Sequence, residues 1–558
     1  MNQTTIDRIQ TLLLGDMPLQ SRDSIEALYP PRKLAADAIV TRSAPSPTGF
    51  VHIGTIYMCL LNQYLARQTG GVYMLRIEDT DKKREINNGV SQIVNALTAF
   101  DVVPDEGVTV DGTSYGDYGP YLQSQRSELY LSYAIDLLKK GRAYPCFATR
   151  EQLDESIKQQ QAAKVRPGYY GKWALWRNKT DQEVTEQLDA GSPFVLRFKS
   201  NGSHDKRIAF DDVLKGHLEL PENDLDVPLI KADGSQLPTY HLAHVVDDYL
   251  MKTSFILRGD EWLPSTPLHM ELCDALDIPR FTYAHFAPIS VIDATTGGKR
   301  KLSKRKDPEA DVQYWLNQGY PIQGIKPYLL GLADSSFEDW YRANPYTPLT
   351  EFTISLKRLA ASRSPLLDMA KFENYCKDYI ASLPQQEFEK HLLESNQAAN
   401  PTFAMCMNAY SDYTSKLLAI ERDGDKPRKD LAKWTDAPSI YGYFYDELFT
   451  TEFAPAIGSL LSAFDSSVIT QVCQAFLATY VPTDDQPTWF DKLKAAATET
   501  GFTTDNKAFK ANPTAYKGNL ADFAKILRVK LTGKDRTPDL YTIMQVMGID
   551  RVISRLSQ

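Results

Sequence analysis

Cysteine is scarce and scattered: six in 558 residues (Cys59, Cys146, Cys273, Cys376, Cys406, Cys473), with no pair at disulfide-scaffold or zinc spacing. That excludes a disulfide-stapled secreted domain and fits a reducing cytoplasm. No apolar stretch approaches the ~20 residues needed to cross a bilayer, so no membrane span is expected. The start, Met-Asn-Gln-Thr-Thr-Ile-Asp, lacks the basic residues and apolar run of a signal peptide. Internal repeats and low-complexity tracts are missing too. Positive charge is not in excess, the formal net charge being −9. An acidic total still allows nucleic-acid binding, because phosphate contacts depend on local basic patches. A chain this long is expected to form about three to five domains with ample core.

Two segments carry chemistry. Residues 37–41 (Asp-Ala-Ile-Val-Thr) are a short apolar, β-branched run with the pattern of a buried strand. Pro45, Pro47 and Gly49 then impose a rigid turn. Ile56, Leu60, Leu61, Tyr64 and Leu65 fall at helical spacing, Thr69-Gly70-Gly71 ends that helix, and Val72–Ile77 reads as the next strand. Strand, loop, helix and strand make a βαβ unit, whose loop lies at the ligand-binding edge of a parallel sheet. His52 and Gly54 would sit at the helix N-terminus, where free N–H groups and the dipole favour phosphate. Glycine lets a nucleotide approach the backbone, and imidazole donates to a phosphate oxygen. Taken alone, a buried turn histidine beside a structural glycine is the plainer reading.

Far downstream, six of the eight residues from Lys299 to Lys306 are basic, in the run Gly297-Gly298-Lys-Arg-Lys-Leu-Ser-Lys-Arg-Lys. A solvated face or an RNA contact would explain such a run. The adjacent glycines suggest instead a mobile loop that closes over a ligand, with Lys301 and Lys304 neutralising departing pyrophosphate.

Six ordered segments together carry a resemblance. They are Arg42–Gly49 with His52-Ile53-Gly54-Thr55; Leu75-Arg76-Ile77-Glu78-Asp79-Thr80-Asp81; Gly119-Pro120-Tyr121 with Gln123–Arg126; Pro238–Asp248; Arg258-Gly259-Asp260-Glu261-Trp262; and Lys301–Arg305. In this order they resemble the bacterial glutamyl-tRNA synthetases, members of the class I aminoacyl-tRNA synthetases. The likeness is strong from about Ala38 to Asp307, softer toward the C-terminus, and absent over residues 1–37.

The resemblance implies an ATP-dependent ligase that forms glutamyl-adenylate from glutamate and Mg-ATP, then transfers glutamate to tRNA. It implies His52, Lys301 and Lys304 as catalytic phosphate-binding groups. Gly54, Thr55, Trp262, Leu302, Ser303 and Arg305 are implied as further ATP contacts. Arg42 would hold the glutamate side-chain carboxylate, which suits a bidentate guanidinium. Ala44 and Ser46 would line that pocket, Glu78 would face the α-ammonium, and Tyr240, His244 and Arg258 would complete it. Thr55 replaces the class-wide histidine, and His244 replaces a frequent asparagine with a residue similar to the glutaminyl branch. No bound metal is expected: where some relatives pair a second cysteine with Cys146, this chain has Ala148. Cytoplasmic location, no membrane, and a monomer are the remaining implications. Charging of glutamate tRNA alone, or also of glutamine tRNA, both stay open.

The fold expected is α/β: a Rossmann-like class I catalytic domain with an inserted acceptor-binding subdomain, followed by an all-α anticodon-binding region. Its parts are an extension (1–37, one helix over Ile6–Leu14 and a loop), the first catalytic half (38–145), the insertion (146–225), the second half with the basic loop (226–310), a helical stem-contact domain (311–384) and an α-helical anticodon-binding domain (385–558). Within the insertion, Glu151–Ala163 reads as a helix and Phe194–Phe198 as a strand. A charged interruption is expected over 423–433. The long helical half argues against a smaller tRNA-modifying relative and against short nucleotidylyltransferases. Intact His52, Lys301 and Lys304 argue against a silent tRNA-binding paralogue. Glutaminyl-tRNA synthetase remains the enzymatic rival, resting on His244.

Overall fold

The computed structural model describes residues 1–558 apart from Tyr346, Arg363, Asp423, Asp425 and Lys426. The expected interruption at 423–433 therefore lies partly outside the described residues. Two compact units form: residues 1–314 with 326–368, and residues 315–325 with 369–558. The segment expected as a separate domain, 311–384, falls partly in each.

The first unit is α/β. Val40–Ser43 pairs in parallel with Val72–Leu75, in register from Val40↔Val72 to Ser43↔Leu75. Phe255–Gly259 pairs in parallel with Thr282–Phe286. Ser254 N donates to the Val40 carbonyl, 3.1 Å away, joining the two pairs. Helix Ile53–Arg67 crosses between the first two strands, as the apolar spacing requires. Its Ile56, Leu60, Leu61 and Leu65 are buried, each worth about 1.5–3 kcal/mol against exposure. The return into the second strand needs glycine: a Cβ on Gly71 would stand 1.9 Å from the Ile39 carbonyl oxygen. The first strand starts later than the apolar run suggests, because residues 35–38 close a turn through Ala38 N and the Ala35 carbonyl.

Ala143–Cys146, Val195–Phe198 and Pro228–Ile230 form a three-stranded antiparallel sheet that spans both ends of the expected insertion, and Arg207–Asp212 pairs with Gly216–Pro221 as a hairpin. Helix Arg150–Ala162 starts at a capping box of Thr149 and Gln152. The N-terminal extension is more ordered than one helix and a loop. Two helices, Gln3–Leu14 and Arg22–Ala27, are capped by Asn2 and Ser21. Beyond them Arg32 grips Glu106 with two nitrogens, at 2.7 and 2.9 Å, and lies 3.7 Å over the Tyr118 ring.

The second unit has no strand among its described residues. Its helices converge on a core that includes Phe388, Trp434, Phe444, Phe476, Ile526 and Met544. Among the described residues, no helix of either unit is long and apolar enough to cross a membrane.

Candidate active site

One cavity of about 640 Å³ opens at the carboxyl ends of the parallel strands, and both chemical segments line it. His52 caps the crossing helix: its Nδ1 accepts from Gly54 N at 2.9 Å. A Cβ on Gly54 would stand 2.8 Å from that same nitrogen, so the cap requires glycine. With Nδ1 accepting, the ring proton resides on Nε2. Burial, then the nearby Lys304 and Lys301 charges, pulls the imidazole down to about 4, so it is neutral at pH 7.

The basic run is less open than a flexible loop. Lys299–Lys301 is a strand paired antiparallel with Ser290–Ile292. Arg300 is clamped by Asp293 at 2.8 Å and by Asp307 at 2.6 Å, which fixes the segment. Lys301 and Lys304 are left facing the cavity. Lys301 Nζ meets Glu261 Oε1 at 2.8 Å, and Lys304 Nζ donates to the Phe50 carbonyl at 2.8 Å. Both acceptors are exchangeable, so the ammonium groups stay available to a polyphosphate. Leu302 is buried and Ser303 half-buried on the same wall.

At the other end stand Arg42, Ala44, Glu78, Tyr240, Arg258 and Trp262. Tyr240 opens the helix Tyr240–Leu250, and its ring lies 4.3 Å from that of Trp262. Arg42 is 3% exposed, and its Nε is held 3.1 Å from both Asp248 oxygens. Glu78 lies 3.7 Å from Arg76 Nη2, and its buried Oε1 has no hydrogen-bond partner. Burial raises that carboxyl to about 7, against the pull of Arg76 and Arg42.

Beneath this end lies an ionic layer that sequence patterning did not indicate. Asp248 also receives Arg76 Nη1 at 2.8 Å, while Asp247 receives Arg126 Nε at 2.7 Å. Three guanidiniums (Arg42, Arg76, Arg126) thus face two buried aspartates. The Glu78 carboxyl, 3.7 Å from Arg76, is the third acidic group of this layer and balances the three guanidiniums when it is ionised. The available signal was the charged residues inside otherwise apolar segments: Arg76 after Leu75, and Asp247-Asp248 after Val245-Val246.

Three expected contacts are not on the cavity wall. Ser46 is exposed in the turn after the first strand, and Arg305 is exposed beyond the basic strand. His244 is wholly buried behind the wall. Asp248, one helical turn on, captures its Nδ1 at 2.7 Å, and its Nε2 sits 3.2 Å from Tyr283 Oη. It touches Arg42 and Arg258 only from behind, at 3.5 Å each. Conversely, Glu261, Phe286, Pro288 and Ile289 line the cavity without having been singled out. Glu261 lies in the Arg258–Trp262 segment; Phe286 ends the strand Thr282–Phe286 and Pro288 and Ile289 follow it, so only the fold places them at the cavity.

Residues 38–363 match the family model described as tRNA synthetases class I (E and Q), catalytic domain, and residues 481–558 match an anticodon binding domain. The chain belongs to the class I glutamyl/glutaminyl-tRNA synthetase family. The synthetase is 40% identical to the glutamate–tRNA ligase of Acetivibrio thermocellus, over 96% of each chain. It is 39% identical to that of Clostridium beijerinckii, over 99% of each. A crystal structure of glutamate-tRNA synthetase from Elizabethkingia anophelis shares its fold, with a TM-score of 0.68 at 23% identity, covering 93% of this chain and 99% of the other. ATP use is a property of the family.

Proposed function

We propose that the chain is a glutamate–tRNA ligase, joining L-glutamate to the 3′ end of glutamate-accepting tRNA through glutamyl-adenylate. In the first step a glutamate α-carboxylate oxygen attacks the α-phosphorus of ATP. A new P–O bond forms, the bond to the bridging oxygen breaks, and pyrophosphate leaves. In the second step a hydroxyl of the terminal adenosine attacks the activated carbonyl and AMP departs.

The observation that carries this reading is that His52, Lys301 and Lys304 share one cavity with Arg42, Glu78 and Tyr240. His52 Nε2–H donates to the α-phosphate as charge grows there, and Lys301 and Lys304 leave Glu261 and Phe50 for the departing pyrophosphate. Gly54 and Thr55 lie under the triphosphate, and Trp262 against the adenosine. Arg42 takes the side-chain carboxylate and Glu78 the α-ammonium. No side chain serves as a covalent nucleophile; rate comes from placement and charge. Mg²⁺ enters as the ATP complex: the protein groups facing the phosphates are cationic, and no cluster of three or more His, Cys, Asp or Glu stands ready for a metal among the described residues. The synthetase acts in the cytoplasm as a monomer and binds tRNA through its helical region.

A glutaminyl enzyme is disfavoured because the cation Arg42 faces the cavity while His244 does not. Charging of separate glutamate and glutamine tRNAs with each labelled amino acid tests the proposal. Glutamate on glutamate tRNA is expected. Glutamine without glutamate would overturn the specificity, and tRNA binding without charging would make the chain a silent paralogue.

A further inference from the structure

Arg258 is a buried cation whose compensation comes at one remove. It is 3% exposed, and acceptors surround its guanidinium. Nε donates to His285 Nε2 at 2.9 Å. Nη1 meets His269 Nδ1 at 3.2 Å and Tyr240 Oη at 3.4 Å. Nη2 meets Thr266 Oγ1 at 3.0 Å and the Trp262 carbonyl at 3.4 Å. All these partners are neutral, and among the described residues no carboxylate forms an ion pair with it. An arginine never gives up its proton here, so His285 Nε2 has to be the acceptor and its proton has to sit on Nδ1.

That N–H points to Asp212 Oδ2, 2.6 Å away. Asp212 is 2% exposed and is itself fixed, accepting from Leu214 N and Lys215 N at 3.0 and 2.9 Å and from His285 N at 3.2 Å. It ends the strand Arg207–Asp212, in the stretch between the two halves of the nucleotide-binding fold. The hairpin is tethered to the catalytic sheet by Val213 N to the Tyr283 carbonyl at 2.9 Å, and Lys215 reaches Asp260, beside Glu261 and Trp262, at 3.4 Å.

We infer that Asp212 and His285 are positioning residues for the amino-acid site. The carboxylate fixes the imidazole tautomer, the imidazole fixes Arg258, and Arg258 holds Tyr240 at the glutamate end of the cavity. The inference rests on that end binding glutamate, and it makes the hairpin between the two halves part of the amino-acid site. Asp212 touches no substrate; it acts through two intervening side chains.

Steady-state charging by the full-length enzyme tests this. Asp212→Asn keeps the shape and removes the charge; it is expected to raise the glutamate KM about tenfold while the ATP KM moves less than about twofold. His285→Gln keeps an acceptor for Arg258 Nε and is expected to stay within about threefold of wild type. His285→Leu removes the acceptor and is expected to match or exceed Asp212→Asn. An unchanged glutamate KM in Asp212→Asn, glutamate and ATP KM rising together, or equal values for His285→Gln and His285→Leu would each overturn the inference. If one variant does not fold, the remaining pair is read by the same criterion. A wild-type enzyme that charges no glutamate would instead refute the function itself.

Discussion

Replacing Glu78 by Gln should make the free protein more stable and a worse enzyme at the same time. The carboxyl is buried, its Oε1 has no partner, and the nearest cation is 3.7 Å away. Folding moves it from 4.5 to about 7. A raised carboxyl means the folded protein binds the proton more tightly than the unfolded chain does. The ionised form therefore destabilises the fold: the cost is absent below pH 4.5, grows between 4.5 and 7, and is fully present above 7. At about 1.4 kcal/mol per pH unit it amounts to about 3 kcal/mol at pH 8. Glu78→Gln removes that cost, so its melting advantage should be largest at pH 8 and vanish near pH 4.5. Glutamate binding should show the reverse. The incoming ammonium restores a partner to the carboxylate, so wild-type glutamate affinity should fall as the pH drops below about 7. The glutamine variant, lacking an ammonium–carboxylate pair of about 2–3 kcal/mol, should raise the glutamate KM about 30–150-fold at pH 8 and show no such pH limb. Thermal melts and charging kinetics at pH 5.5, 7 and 8 measure both. A variant less stable than wild type at pH 8, or one that keeps the pH dependence, would refute this reasoning.

Lys304→Ala should slow adenylate formation about 10²–10³-fold with little change in glutamate affinity; equal loss of both would make the loop structural. Arg42→Lys keeps the charge but not the fork that serves Asp248 and a substrate carboxylate together, so the glutamate KM should rise about a hundredfold; unaltered kinetics would remove Arg42 from the site. Gly54→Ala places a methyl 2.8 Å from His52 Nδ1 and should cut kcat about tenfold or more while leaving glutamate binding intact, as single-turnover kinetics would show. Because His52 is held near 4, kcat should show no histidine limb between about pH 5.5 and 8; a limb near 6.5 that disappears in His52→Gln would contradict the placement.

The proposed phosphate end could be drawn from the sequence because its chemistry is local. Pro45, Pro47, Gly49 and Gly54 force a turn and a cap within a dozen residues, and the basic run is contiguous. The amino-acid end depended on resemblance. A buried Arg42 makes no sense in a strand until Asp248, 206 positions later, is seen to hold it. His244 was expected at the substrate because the resemblance has a frequent asparagine at that position; Asp248, one helical turn on, takes the ring from behind. The basic loop looked mobile from its two glycines, but Asp293 and Asp307 on either side grip Arg300. Asp212 and His285, 73 residues apart, have no shared pattern at all. Contacts set by helix and turn chemistry can be read from sequence; buried ion pairs between distant segments need the fold.

The most direct measurement is a crystal structure of the full-length protein bound to a non-hydrolysable glutamyl-adenylate analogue. Its phosphoryl mimic should lie between the His52 ring and the two lysines, with the side-chain carboxylate on the Arg42 guanidinium. Density for the analogue elsewhere, or with its two ends reversed along the cavity, would contradict the account.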